Sequence, residues 1–167
     1  MEGPLKDTAK ETAFVVEQAR QDRLPDLKAT VTHENLIAAL AREAQEVRLH
    51  RCFARIAEIE GYHAVARILL ELAESESFFA DGHIDLLRRA GDPLSGLPVG
   101  DTLAHLVSVL ATVSADATES LPRMARTAYS EGFSDIGSWF ASVEKAKKVH
   151  RQRTEKALEE LRRVETH

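Results

Sequence analysis

Several things are scarce in this chain of 167 residues, and each scarcity removes a class of protein. Aromatic residues make up only 5%, and Gly and Pro number eight and five, so neither a turn-rich β architecture nor a low-complexity chain is expected. There is one cysteine, Cys52, which rules out an internal disulfide and any CxxC metal knuckle. No stretch approaches the ~18 to 20 uninterrupted apolar residues of a membrane span, and the opening MEGPLKDTAKETA has no apolar signal core. These features lead us to expect a cytoplasmic protein without a membrane partner. With 22 basic against 27 acidic residues and no basic stripe, nucleic acid is not an expected partner either. GxSxG, Walker, HExxH and glycine-rich phosphate-loop patterns are all missing, which leaves hydrolytic and nucleotide-dependent chemistry without support.

What is present is helical. Ala, Leu, Glu and Arg are abundant, and the prolines at 4, 25, 93, 98 and 122 leave 26–92 and 123–167 free of the strongest helix breaker. Residues 1–30 read as an N-terminal helical arm, with Phe14, Val15 and Ala19 as its apolar positions, and 31–167 as one domain. Thr32 is the expected N-cap of the first long helix, whose inward row is Leu36, Leu40, Glu43, Val47, His50, Ala54, Ala57. Gly61 suits a left-handed stop, and a second helix follows with the row Val65, Leu69, Leu72, Glu76, Phe79, His83, Leu86. The segment GDPLSGLPVG (91–100) is a connection, either a local turn or a crossover. Leu103, Leu106, Leu110 and Val113 open a third helix that Pro122 kinks without ending, and Gly132 separates it from a fourth with the row Ile136, Phe140, Val143, Lys147, His150, Thr154.

An internal repeat unites these elements. ARIAEIEGY at 54–62 returns as ARTAYSEGF at 125–133, an offset of 71 residues. Two amphipathic hairpins of that length cannot separately bury their apolar stripes, so the expected fold is an all-α four-helix bundle built from two repeated hairpins. Leftover apolar residues outside the bundle, with Trp139 and Phe140 among them if they do not fill the core, point to a homodimer.

Ionisable residues interrupt the inward rows: Glu43 with Glu46 beside it, then Glu76, then Asp116 three residues past Val113, then Lys147 and His150. An unpaired buried charge costs several kcal/mol, so these groups need either a metal or each other. The expectation is one pocket in which acids of the first two helices meet the lysine and histidine of the last. By the repeat, Glu46 holds the position equivalent to Asp116 and is expected to pair with a neighbour one turn away. His50 is expected to hydrogen-bond, and His63 and His105 to lack a carboxylate partner.

The stretches NLIAALAREAQE, FARIAEIEGY and AESE within 35–76, and their echo from AYSEGF to FASVEKAKKVH at 128–150, resemble the rubrerythrin branch of the ferritin-like superfamily. The resemblance covers residues 32 to about 162 and implies a non-haem di-iron protein that reduces peroxide. Position by position, it places a ligand at Glu43, Glu-x-x-His on helix two, two carboxylates three apart on helix three, and Glu-x-x-His on helix four. This chain keeps Glu43, Glu76, Asp116 and His150. It has Phe79, Val113 (or Ser114 if the register slips) and Lys147 at the remaining positions, and in the family the glutamate replaced by Lys147 bridges both metals. The resemblance thus implies metal ligands Glu43, Glu76, Asp116 and His150 holding iron, or manganese or zinc, at fewer than two ions per chain. An external electron donor is implied too, since the rubredoxin-like cysteines are missing. The other reading is a non-catalytic scaffold in which Lys147 replaces the metal.

Overall fold

The computed structural model describes residues 25–165 and is all-helical there. The elements in chain order are α1 (Val31–Ile59), α2 (His63–Leu87), α3 (Thr102–Ala115), a π turn (Asp116–Ser120), α4 (Leu121–Ser130) and α5 (Ser134–Glu165). Helix α3, the π turn and α4 run on as a single kinked rod, so four long rods form two hairpins, α1/α2 and α3–α4/α5. This is the all-α class of two helical hairpins expected from the repeat. The expected apolar positions of the N-terminal arm, Phe14, Val15 and Ala19, lie outside the described residues.

Helix α1 is capped by Thr30, not Thr32. The Thr30 Oγ1 accepts the His33 N–H at 3.1 Å and donates to the Leu27 carbonyl at 2.8 Å, which ties buried Leu27 to the helix entry. Sequence alone did not separate two threonines two residues apart.

The hairpin turns repeat bond for bond. Gly61 and Gly132 take φ of 84° and 88°, a conformation in which a side chain is strained. The Tyr62 N–H reaches the Ala57 carbonyl, and the Phe133 N–H the Ala128 carbonyl, each at 2.8 Å. Both pairs are the 6→1 closure of a Schellman motif. Small residues let the rods approach: Ala54, Ala57 and Ala66 are buried in the first hairpin, and Ala125, Ala128 and Gly137 at the matching places in the second.

Pro122 has no N–H to offer a carbonyl one turn back, and the helix absorbs the defect as a π turn in which the Leu121 N–H reaches back five residues to the Asp116 carbonyl. A π turn accommodates one extra residue. Downstream of it the repeat offset is 71; upstream it is 70, which puts Val113 opposite Glu43 and Asp116 opposite Glu46.

The connection is a local elbow. The Asp92 N–H bonds the Leu97 carbonyl and the Gly96 N–H the Asp92 carbonyl, both at 2.8 Å. Asp92 Oδ1 accepts from the N–H groups of Leu94 and Ser95, and Ser95 Oγ meets Ser108 Oγ at 2.6 Å. Leu87, Ala90 and Gly91 are buried under the elbow, and a Cβ at Gly91 would sit 3.0 Å from the Leu97 carbonyl oxygen. Burial alone raises the Asp92 carboxyl. The N–H groups of Ser95 and Leu94, with the hydroxyls of Ser108 and Ser95, outweigh it and hold the group below its ordinary value.

Within the chain, among the described residues, no helix of one hairpin packs against a helix of the other. The expected row of α2 is accordingly half right. Leu69 packs against Ala54, Ala57 and Ala66, Glu76 reaches His50 of α1, and Ala73 and Leu87 are buried, whereas Val65, Leu72, Phe79 and Leu86 stay exposed. Ile136 and His150, expected in the inward row of α5, are exposed as well.

Candidate functional site

The inward-facing polar groups resolve into two clusters, one inside each hairpin. In the first, His50 Nδ1 of α1 lies 2.7 Å from Glu76 Oε2 of α2, with side chains only 23% and 15% exposed. Glu43 is half-buried, two helical turns before His50. Glu46, the neighbour of this row, takes the Arg42 Nε–H at 3.0 Å along its own helix, and this hydrogen bond, before the nearby charge itself, holds the guanidinium above its ordinary value.

In the second cluster, Lys147 Nζ of α5 lies 2.7 Å from Asp116 Oδ2 at the start of the π turn, each side chain 31% exposed. Asp116 continues the regular spiral of α3, its N–H reaching the Thr112 carbonyl, and its own carbonyl takes the long bond of the π turn. His150 sits one turn beyond Lys147 on α5 and is exposed. Glu43 and His150 make no side-chain hydrogen bond or ion pair among the described residues.

The structure thus brings Glu76 to His50 and Asp116 to Lys147, and leaves Glu43 and Glu76 on a different hairpin from Asp116 and His150. No group of three or more His, Cys, Asp or Glu side chains within the described chain is arranged to hold a metal. A di-iron centre needs a shell of acids and imidazoles around each ion, and two of the four retained candidates already face a hydrogen-bonding or cationic side chain. The residues present within one chain do not fit that centre. An open cleft of about 470 Å³ lies at the turn end of the second hairpin between Met124, Phe133 and Phe140, and contains none of the candidate ligands.

Two features escaped the sequence reading. His63 does have a carboxylate partner: its Nδ1 meets Glu58 Oε1 at 2.8 Å across the first turn, a pair five residues apart that helical spacing does not reveal. Ser108 is the one buried polar residue among the described residues, and Ser95 satisfies it.

Helical hairpins with a repeated turn and inward carboxylates on several rods define a ferritin-like protein. The comparisons with known proteins narrow this class. A rubrerythrin family model matches residues 34–158, and the chain belongs to the rubrerythrin family, a family of non-haem iron proteins. It is similar to rubrerythrin-1 of Clostridium acetobutylicum, 29% identical over 146 residues that cover 83% of this chain and 75% of that one. It is similar as well to the rubrerythrin of Porphyromonas gingivalis, 30% identical over 135 residues covering 76% of this chain and 66% of that one. The rubrerythrin of Nitratidesulfovibrio vulgaris is 30% identical over 135 residues, covering 78% and 70%.

Proposed function

We propose that this chain is a rubrerythrin-family scaffold in which fixed ionic and hydrogen-bonded pairs have taken over from the di-iron centre, with the ammonium of Lys147 as the resident cation. The observation that carries the reading is the 2.7 Å contact between Lys147 Nζ and Asp116 Oδ2. A lysine at this position removes a negative ligand and adds a positive charge in the same step, so it repels a metal cation twice over while neutralising the carboxylate beside it. Phe79 and Val113, where the resemblance expects a histidine and a carboxylate, offer no donor atoms at all.

A second reading is favoured by Glu43 and His150, whose side chains make no hydrogen bond or close ion pair among the described residues. In it Glu43, Glu76, Asp116 and His150 share a single iron, manganese or zinc ion, and an external donor supplies electrons. Elemental analysis of protein purified from iron-, manganese- and zinc-supplemented culture separates the two. The scaffold reading expects well under one tenth of an ion per chain. One ion per chain supports the second reading, and two irons per chain contradict both.

A further inference from the structure

We propose that the first hairpin carries a binding site for a small planar aromatic carboxylate, in the cleft between α1 and α2 at its turn end. The cleft, of about 320 Å³, is lined by buried Ala54 and Ala66, by exposed Ile59 and Leu70, and by Arg51, Arg55 and Glu58 of α1. It shares no residue with the candidate metal ligands or with the exposed seam of α2, and is a separate site.

The second hairpin shows what this place takes. There the residue equivalent to Glu58 is Tyr129, and the one equivalent to Ala66 is Gly137. The Tyr129 ring lies so close over Gly137 that a Cβ added to the glycine would sit 2.7 Å from it. Its hydroxyl meets Ser138 Oγ at 3.2 Å. The second hairpin thus covers its own small residue with a flat aromatic ring. The first has no such ring, and its Glu58 instead meets His63 across the turn, Oε1 to Nδ1 at 2.8 Å. What one hairpin fills with tyrosine, the other leaves open beside Ala66. The Ala66 methyl is the surface on which a ligand's ring rests, one carbon further out than the Tyr129 ring.

Charge sets the class of ligand. Arg51 and Arg55, one turn apart on α1, both line the cleft, and neither makes a hydrogen bond or close ion pair among the described residues. Arg67 holds the position equivalent to Ser138, the residue that meets the tyrosine hydroxyl. Where the ring-filled hairpin has Pro122 and Ser138, the open one therefore has Arg51 and Arg67. Guanidinium groups take carboxylates through paired hydrogen bonds and stack on aromatic faces. Glu58, the one acid among the lining residues, is already hydrogen-bonded to His63.

Size agrees with this class. The volume falls at the small end of the ~300 to 1,000 Å³ typical of small-molecule sites, which suits a ligand of one or two rings. A neutral ring would use the apolar walls and leave the arginines idle, and a bare anion would do the reverse. An aromatic carboxylate uses both.

The test follows the backbone amide NMR signals of the full chain as benzoate is added. Saturable shifts are expected at Ala66 and Leu70, with a dissociation constant of about 1 mM. Cyclohexanecarboxylate keeps the charge and loses the flat ring, and phenol keeps the ring and loses the charge; each should bind at least about ten-fold more weakly. Glu58→Tyr with Ala66→Gly and Arg67→Ser transplants the second hairpin's plug into the first and should abolish binding. Arg51→Gln with Arg55→Gln, both at exposed positions, is the second variant should the plug fail to fold. It should weaken benzoate at least about ten-fold and leave phenol unchanged. Absence of saturable shifts at Ala66 and Leu70 at millimolar benzoate overturns the proposal. So do equal affinities for the three compounds, full binding by a folded plug variant, and an arginine variant that binds benzoate like the parent.

Discussion

The two hairpins share a turn, a set of buried small residues and a hydrogen-bond pattern, and they part company at the height where charge points inward. Glu76 of the first and Lys147 of the second are repeat equivalents of opposite sign. Glu76 draws His50 across from α1, while Lys147 draws Asp116. The residues facing them diverge in the same way: Glu46 turns along its own helix to Arg42, and its counterpart Asp116, at the start of the π turn, crosses to the neighbouring rod. One backbone plan therefore serves two charge arrangements. Each hairpin pairs one of its inward carboxylates within itself, Glu76 with His50 and Asp116 with Lys147.

The largest expected effect comes from the open seam that the hairpins have in common. Were two copies to pair through this seam, Leu72→Asp combined with Phe79→Asp would remove two apolar side chains from it in each copy, each worth ~1.5 to 3 kcal/mol when buried. Dimer affinity measured by sedimentation should fall at least about a thousand-fold, with helix content by circular dichroism unchanged. Loss of helix content without dissociation would show that the seam belongs to the chain's own core.

Next come the turns. Gly61→Ala and Gly132→Ala each place a side chain at positive φ with open space around it, so only backbone strain is felt, about 1 to 2 kcal/mol. Urea denaturation should give near-equal losses, and a large inequality would break the equivalence of the hairpins. The inward pairs should then differ. Lys147→Met strands Asp116 at a site about one third exposed and should cost about 1 kcal/mol. Glu76→Gln keeps a hydrogen-bonding partner for His50 and should cost about half as much. A reversed order in the same denaturation series would contradict the assignment of Lys147 as the needed cation.

The smallest effect lies at the elbow. The Asp92 carboxyl is held below its ordinary value, so its contribution is fully present above the unfolded-state value and is lost as pH falls through the folded-state value. Because the group is largely solvated, that contribution is about half a kcal/mol. Asp92→Asn should lower the neutral plateau of a stability–pH curve by about this amount and flatten the acid limb correspondingly. An unchanged acid limb would remove Asp92 from the elbow's supports.

Much of this fold was readable before any coordinates. The Glu-Gly-aromatic tripeptides at 60–62 and 131–133 marked both turns because only glycine takes the required φ, and the row from Leu36 to Ala57 pointed inward as its spacing demanded. The α2 row was misassigned along one edge. Periodicity marks which positions are apolar, but Leu69 and Leu72 lie on adjacent flanks of one stripe, and nothing local says which flank meets α1 and which waits for another surface. The π turn left a trace that went unread: the equivalence of Glu46 with Asp116 already implied an offset of 70, one short of the 71 that relates the turns. The candidate residues were each placed on the correct rod. That the two hairpins do not pack on one another within the described chain was not legible, because no helical spacing reports how the elbow at Asp92 and Ser95 sets them.

The central claim is that an ammonium now holds the place of a metal, and anaerobic ferrous titration by calorimetry tests it most directly, run on the parent protein beside the Lys147→Glu, Phe79→His double variant. The account predicts no stoichiometric uptake by the parent and a gain of iron binding by the variant, which restores a carboxylate and an imidazole at the family's positions. Two ferrous ions taken up per chain by the parent, with the variant no better, would contradict it.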